Sequence, residues 1–92
     1  MTFILLENAP TRVRGILTRW LIEPHPNVFV GQITARVRDR LFNQLCNQIE
    51  DGAILMIHEA RNEQGYAIRT VGPTSHIPVD FDGLYLVAPR NV

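Results

Sequence analysis

"LLENAPTRVRGILTRWLIEPHPNVFVG", Leu5–Gly31, runs from the end of an apolar strand through an amphipathic helix to a second short strand, and that succession decides the architecture. After Asn8, the residues Val13, Ile16, Leu17, Trp20 and Leu21 recur at i, i+3, i+4, i+7 and i+8, which is one face of a helix. Asn8 is a favoured N-cap type, and Pro10 is tolerated in a first turn, where its missing N–H costs little. The pattern predicts a helix to about Ile22, stopped by Pro24 and Pro26. Before it, Thr2–Leu6 is too short and apolar for anything but a buried strand; after it, Asn27–Gly31 forms a brief one.

Further along, Thr34 is placed to cap a second helix from Ala35 to about Ile49, with Val37, Leu41, Phe42, Leu45 and Ile49 inward. Its other face, Arg36, Arg40, Asn43 and Asn47, carries only donors and amides. Past the Asp51-Gly52 turn, "AILMIHEA" and "GYAIRTVG" make two strands joined at "RNEQ", and "DFDG" turns into a last strand, Leu84–Val87. Two helices and about five short strands predict an α+β, ferredoxin-like sandwich, both helices on one face of a mostly antiparallel sheet. The interval between the helices has room for one strand and not comfortably two. The last strand is therefore expected to be exchanged in a homodimer.

Ninety-two residues with 46% apolar content suit one domain spanning 1–92, and so small a core often leans on a partner subunit. No stretch resembles a signal peptide or a membrane span, so a cytoplasmic protein with no membrane partner is expected. The single cysteine, Cys46, has no second thiol to pair with and is expected in the core. Net charge is zero, yet residues 1–40 hold six arginines against Glu7, Glu23 and Asp39, while residues 41–92 hold three arginines against six acids. One end should attract polyanions. All nine cations are arginines, whose planar fork matches phosphate oxygens, although codon usage in a GC-rich genome explains that bias equally well.

Chemistry concentrates at the strand–helix corner. Glu7 ends the first strand beside backbone N–H groups that a helix start leaves unpaired, and Arg12 and Arg14 project on either flank of the apolar helix face, where they could hold two phosphates of a nucleic-acid backbone. Glu7 is either a metal ligand, shielding it from phosphate, or a cap and ion-pair partner of Arg12; the residues alone favour the second. His25, His58 and His76 share no ligand spacing, and Asp80 and Asp82 belong to a turn. No GxSxG, GxxxxGK[ST], HExxH or CxxC motif occurs. A ferredoxin-like small-molecule sensor is disfavoured by the arginine-rich opening.

The opening Glu-Asn-x-Pro-x-Arg-x-Arg-Gly, "TARVRDRLF", and a hairpin ending "TVGPTSHIPVDFDGLYLV" closely resemble the CRISPR-associated protein 2 family in its type I-E form. The resemblance covers nearly the whole chain and implies a homodimeric, ferredoxin-like scaffold for spacer acquisition. Such a scaffold sits between two dimers of the integrase, CRISPR-associated protein 1, and holds a double-stranded DNA protospacer. It implies DNA contacts from Arg12, Arg14, Arg36, Arg38 and Arg40, with His76 in a loop where relatives carry arginines and this chain has Thr74, Ser75 and His76. It implies that residues 78–92 form a partner-docking segment through Pro78, Val79, Leu84, Tyr85, Leu86 and Val87. Most members have a metal-binding aspartate where this chain has Glu7, so the alternative is a magnesium-dependent endonuclease with Glu7 as catalytic and metal-binding residue across the dimer axis.

Overall fold

In the computed structural model, which describes residues 1–90, the chain forms β1 (Thr2–Glu7), α1 (Thr11–Leu17), β2 (Ile22–His25), β3 (Val28–Gly31), α2 (Ala35–Cys46), β4 (Ala53–Glu59), β5 (Tyr66–Val71), β6 (His76–Phe81) and β7 (Leu84–Pro89). The first five strands build one sheet in the order β2-β3-β1-β4-β5, every neighbouring pair antiparallel, and β6 with β7 makes a separate two-stranded sheet. This is the expected α+β, ferredoxin-like arrangement, with β5 added outside β4.

Register explains the core. Ile4 lies opposite both Phe29 and Met56, and Leu6 opposite Ile54, so these residues share one face of the sheet. Val13 and Leu17 of α1 and Leu41 and Leu45 of α2 close over that face, with Leu21 and Ile49 at the margins. The opposite, helix-free face carries the rows Val30-Phe3-Ile57-Ile68 and Val28-Leu5-Leu55-Thr70, apolar except for Thr70 and, apart from Leu55, only half-buried.

The first helix is shorter than its apolar spacing predicts. Asn8 is not its cap: it takes a left-handed turn with φ 52°, and Pro10, in extended conformation, stands at the N-cap. The helix ends at Leu17, and the N–H groups of Trp20 and Leu21 donate to the Leu17 carbonyl as the chain turns out of it. Leu21 is buried as expected, but Trp20 and Ile22 face solvent. Because the helix stops early, the interval before α2 holds two strands rather than one. A hairpin through Asn27, with φ 67°, pairs β2 with β3, and that ladder satisfies backbone groups that Pro24 and Pro26 would have left open in a helix.

The second helix starts where expected, with the Val37 N–H donating to Thr34 Oγ1 at 3.2 Å. It ends at Cys46, which is half-buried at the helix end instead of in the core, although burial still pushes its thiol above the ordinary pKa. Of the expected inward residues, Val37 and Phe42 are partly exposed at its edges. Strand β6 has no counterpart in the sequence expectation, because Pro78 interrupts it. Among the described residues only β7 pairs with β6, so the proline lacks its donor in a strand with a free side. The "DFDG" segment is the turn expected: Asp82 and Gly83 have φ 55° and 84°, and Asp80 Oδ1 accepts the Gly83 N–H at 2.8 Å. No helix among the described residues is long and apolar enough to cross a membrane.

Candidate nucleic-acid interface

Glu7 ends β1 on the helix-free side of the sheet, opposite Ala53. Its Oε1 accepts the backbone N–H of Ser75 at 2.8 Å. Two glycines make that approach possible. A Cβ on Gly52 would sit 2.7 Å from the Asn8 carbonyl oxygen and 2.9 Å from that of Glu7, and a Cβ on Gly72 would sit 2.3 Å from the Gly52 carbonyl oxygen. Gly72 has φ 82°, so both the fit and the backbone conformation call for glycine.

The expected Glu7–Arg12 pair does not form. Arg12 Nη2 meets Glu50 Oε2 at 2.6 Å and its Nε donates to Gln48 Oε1 at 3.3 Å, both beyond the end of α2. Arg14 points the other way, with Nε 3.1 Å from Glu23 Oε2 and Nη2 donating to Asn27 Oδ1 at 2.6 Å. Buried Val13 stands between them, so the two guanidiniums flank the apolar face of α1 as the spacing predicts. Both arginines are largely exposed, and such surface pairs contribute about 0–1 kcal/mol.

On α2, Arg36 and Arg40 line an open groove of about 550 Å³ with Asp39 and Asn43. Arg38 turns inward instead: its Nε is 3.1 Å from Asp39 Oδ1, which also receives Arg69 Nη2 at 2.9 Å. The hydrogen bond from Arg38, reinforced by Arg69, holds the Asp39 carboxyl below the usual carboxylate range despite partial desolvation. Arg69 also lies over the Phe42 ring, 5.5 Å from its centroid. His58, buried on β4, donates Nδ1–H to the Glu59 carbonyl at 2.7 Å and leaves Nε2 without a partner. Desolvation, with Arg38 and Arg69 nearby, lowers its pKa.

His76 opens β6, half-buried, with Nδ1 3.0 Å from Ser75 Oγ. The loop that lacks the expected arginines is held by one from the tail, for whose position no sequence signal exists: Arg90 donates from Nε to the Thr74 carbonyl at 2.6 Å and from Nη2 to Thr74 Oγ1 at 3.2 Å. Pro78, Val79, Leu84, Tyr85, Leu86 and Val87 all lie on the β6–β7 hairpin. Register places Ile77, Val79 and Phe81 on the same face as Leu84, Leu86 and Ala88, a wholly apolar side on which Phe81 is 66% exposed. The alternation of Ile77, Val79 and Phe81 is a strand signal in the sequence, and Pro78 masks it. Of residues 78–92, the last two lie outside the described residues.

Among the described residues no three His, Cys, Asp or Glu side chains gather to hold a metal. Magnesium is commonly held by one or two carboxylates with substrate phosphates completing its shell. Glu7 supplies one, with one oxygen already accepting the Ser75 N–H.

Residues 1–86 match the model of a family described as CRISPR-associated protein (Cas_Cas2CT1978). The chain belongs to this Cas2 family.

Proposed function

From that membership we propose that the protein is a scaffold of CRISPR spacer acquisition, of the type I-E kind, that dimerises, grips the backbone of double-stranded DNA and bridges two dimers of the CRISPR-associated protein 1 integrase. The observation that carries this reading is the pair Arg12 and Arg14, exposed on opposite flanks of α1, each held by one carboxylate and one side-chain amide. Arginines so placed reach phosphates of two backbone stretches without entering a groove. The half-buried apolar rows on the helix-free face, and the apolar side of the β6–β7 hairpin, favour a second copy and a protein partner respectively. Glu7, bound to Ser75, serves the corner rather than a reaction.

Spacer integration by the reconstituted pair of proteins tests the reading. Arg12→Ala with Arg14→Ala should abolish integration and lower the slope of log affinity against log salt by about 3.6 for a dimer, near 0.9 for each phosphate no longer neutralised. Glu7→Ala should leave integration intact. Integration lost in Glu7→Ala, with DNA affinity unchanged, would favour the magnesium-dependent endonuclease instead.

A further inference from the structure

Trp20, the chain's one tryptophan, stands in the turn after α1 with 52% of its surface exposed. A ring of that size normally buries most of its area, so this one offers a flat apolar face to solvent. It lines a groove of about 340 Å³ with Val37, Leu41, Gln44 and Arg40. Arg40 also lines the neighbouring groove with Arg36 and Asn43, so the two grooves meet at its side chain.

The charges along this track favour an anion. Among the described residues Arg36 and Arg40 are in no ion pair, unlike Arg12, Arg14, Arg38 and Arg69. The one carboxylate on the track, Asp39, already receives two guanidiniums. Asn43 and Gln44 add amides that can donate to or accept from a base edge.

We propose that the surface from Trp20 through Arg40 to Arg36 binds a single-stranded nucleic acid, with a base stacked on the Trp20 indole and phosphates on the two free arginines. An aromatic platform beside guanidiniums is how unpaired strands are held without sequence readout. A duplex keeps its base faces stacked within and presents only backbone and groove edges to a protein surface. The site therefore differs in ligand from the Arg12–Arg14 surface and draws Arg36 and Arg40 away from it.

Because Trp20 is the sole tryptophan, its emission reports occupancy directly. The full chain is titrated with a short oligothymidylate, an oligouridylate and a blunt DNA duplex. Both single strands, or the one the site prefers, should quench Trp20 while the duplex does not, and the two arms separate DNA from RNA. Arg40→Ala should weaken that binding roughly tenfold or more, as for loss of a charge-assisted hydrogen bond. Trp20→Leu, followed by anisotropy of a labelled strand, should weaken it about five- to a hundredfold, and Trp20→Phe should recover most of the loss. The Arg12→Ala, Arg14→Ala protein should quench as wild type does, so failure of the duplex reading leaves this result legible. No quenching by either strand, equal quenching by duplex or polyglutamate, or unchanged affinity in Arg40→Ala overturns the proposal.

Discussion

The Glu7 carboxylate and the backbone N–H of Ser75, 68 positions apart in the chain, are joined by a 2.8 Å hydrogen bond. It ties the end of β1 to the loop leading into β6. Glu7→Ala should cost about 1 kcal/mol, below the range usual for a charged acceptor because this bond is near solvent. Glu7→Gln keeps an acceptor oxygen and should recover most of that loss. Urea denaturation of the three proteins measures it, and equal stability of all three would show that the bond contributes nothing.

Gly72 should tolerate no side chain. Its φ of 82° would strain any L-residue, and a methyl carbon added there would stand 2.3 Å from the Gly52 carbonyl oxygen, a clash against main chain. Gly72→Ala is expected to cost more than about 2 kcal/mol. Gly65 has φ 84° with nothing within 4 Å, so Gly65→Ala isolates the conformational part, about 1 kcal/mol. Thermal unfolding of both variants checks the difference.

Strand β7 has an open edge that its own chain only partly satisfies. The Tyr85 N–H donates to Gln64 Oε1 at 2.7 Å, and the Tyr85 carbonyl accepts from Tyr66 Oη at 2.5 Å. Side chains here stand in for a neighbouring strand, and a strand from another copy could replace them. If the proposed dimer forms through this edge, a chain truncated after Gly83 should be monomeric in light scattering. A tight dimer that survives truncation would put the interface on the helix-free face instead.

His58 makes stability depend on pH. Its pKa is lowered from 6.5 in the folded protein, by desolvation first and by Arg38 and Arg69 next. Asp39 opposes the shift, and the N-terminal amine, ion-paired with Glu59, adds slightly to it. With the folded value below the unfolded one, the unfolded chain binds the proton more readily. The contribution is thus fully present above about pH 6.5 and is lost as pH falls through the folded value. The melting temperature should fall between pH 7 and pH 5 more steeply in wild type than in His58→Gln. Parallel curves would remove His58 from the account.

Whatever depends on local period and local chemistry is legible in the residues alone. The spacing of Val13 and Leu17, the Thr34 cap, the turn-bounded runs of β4 and β5, and the Asp80–Gly83 turn each specify an element or its end within a few residues. The placement of Arg12 and Arg14 on two flanks of one helix is legible for the same reason. Folding decides everything that depends on competition between distant partners. Trp20 fits the helical period, yet pairing of β2 with β3 satisfies more backbone than another helical turn could beside two prolines. Glu7 and Arg12 are near in sequence, but Gly52 and Gly72 let a remote loop reach the carboxylate first, while the end of α2 presents Glu50 to the arginine. A side chain's charge is written in the sequence; its partner is set by which backbone can come close enough, and only the folded chain fixes that.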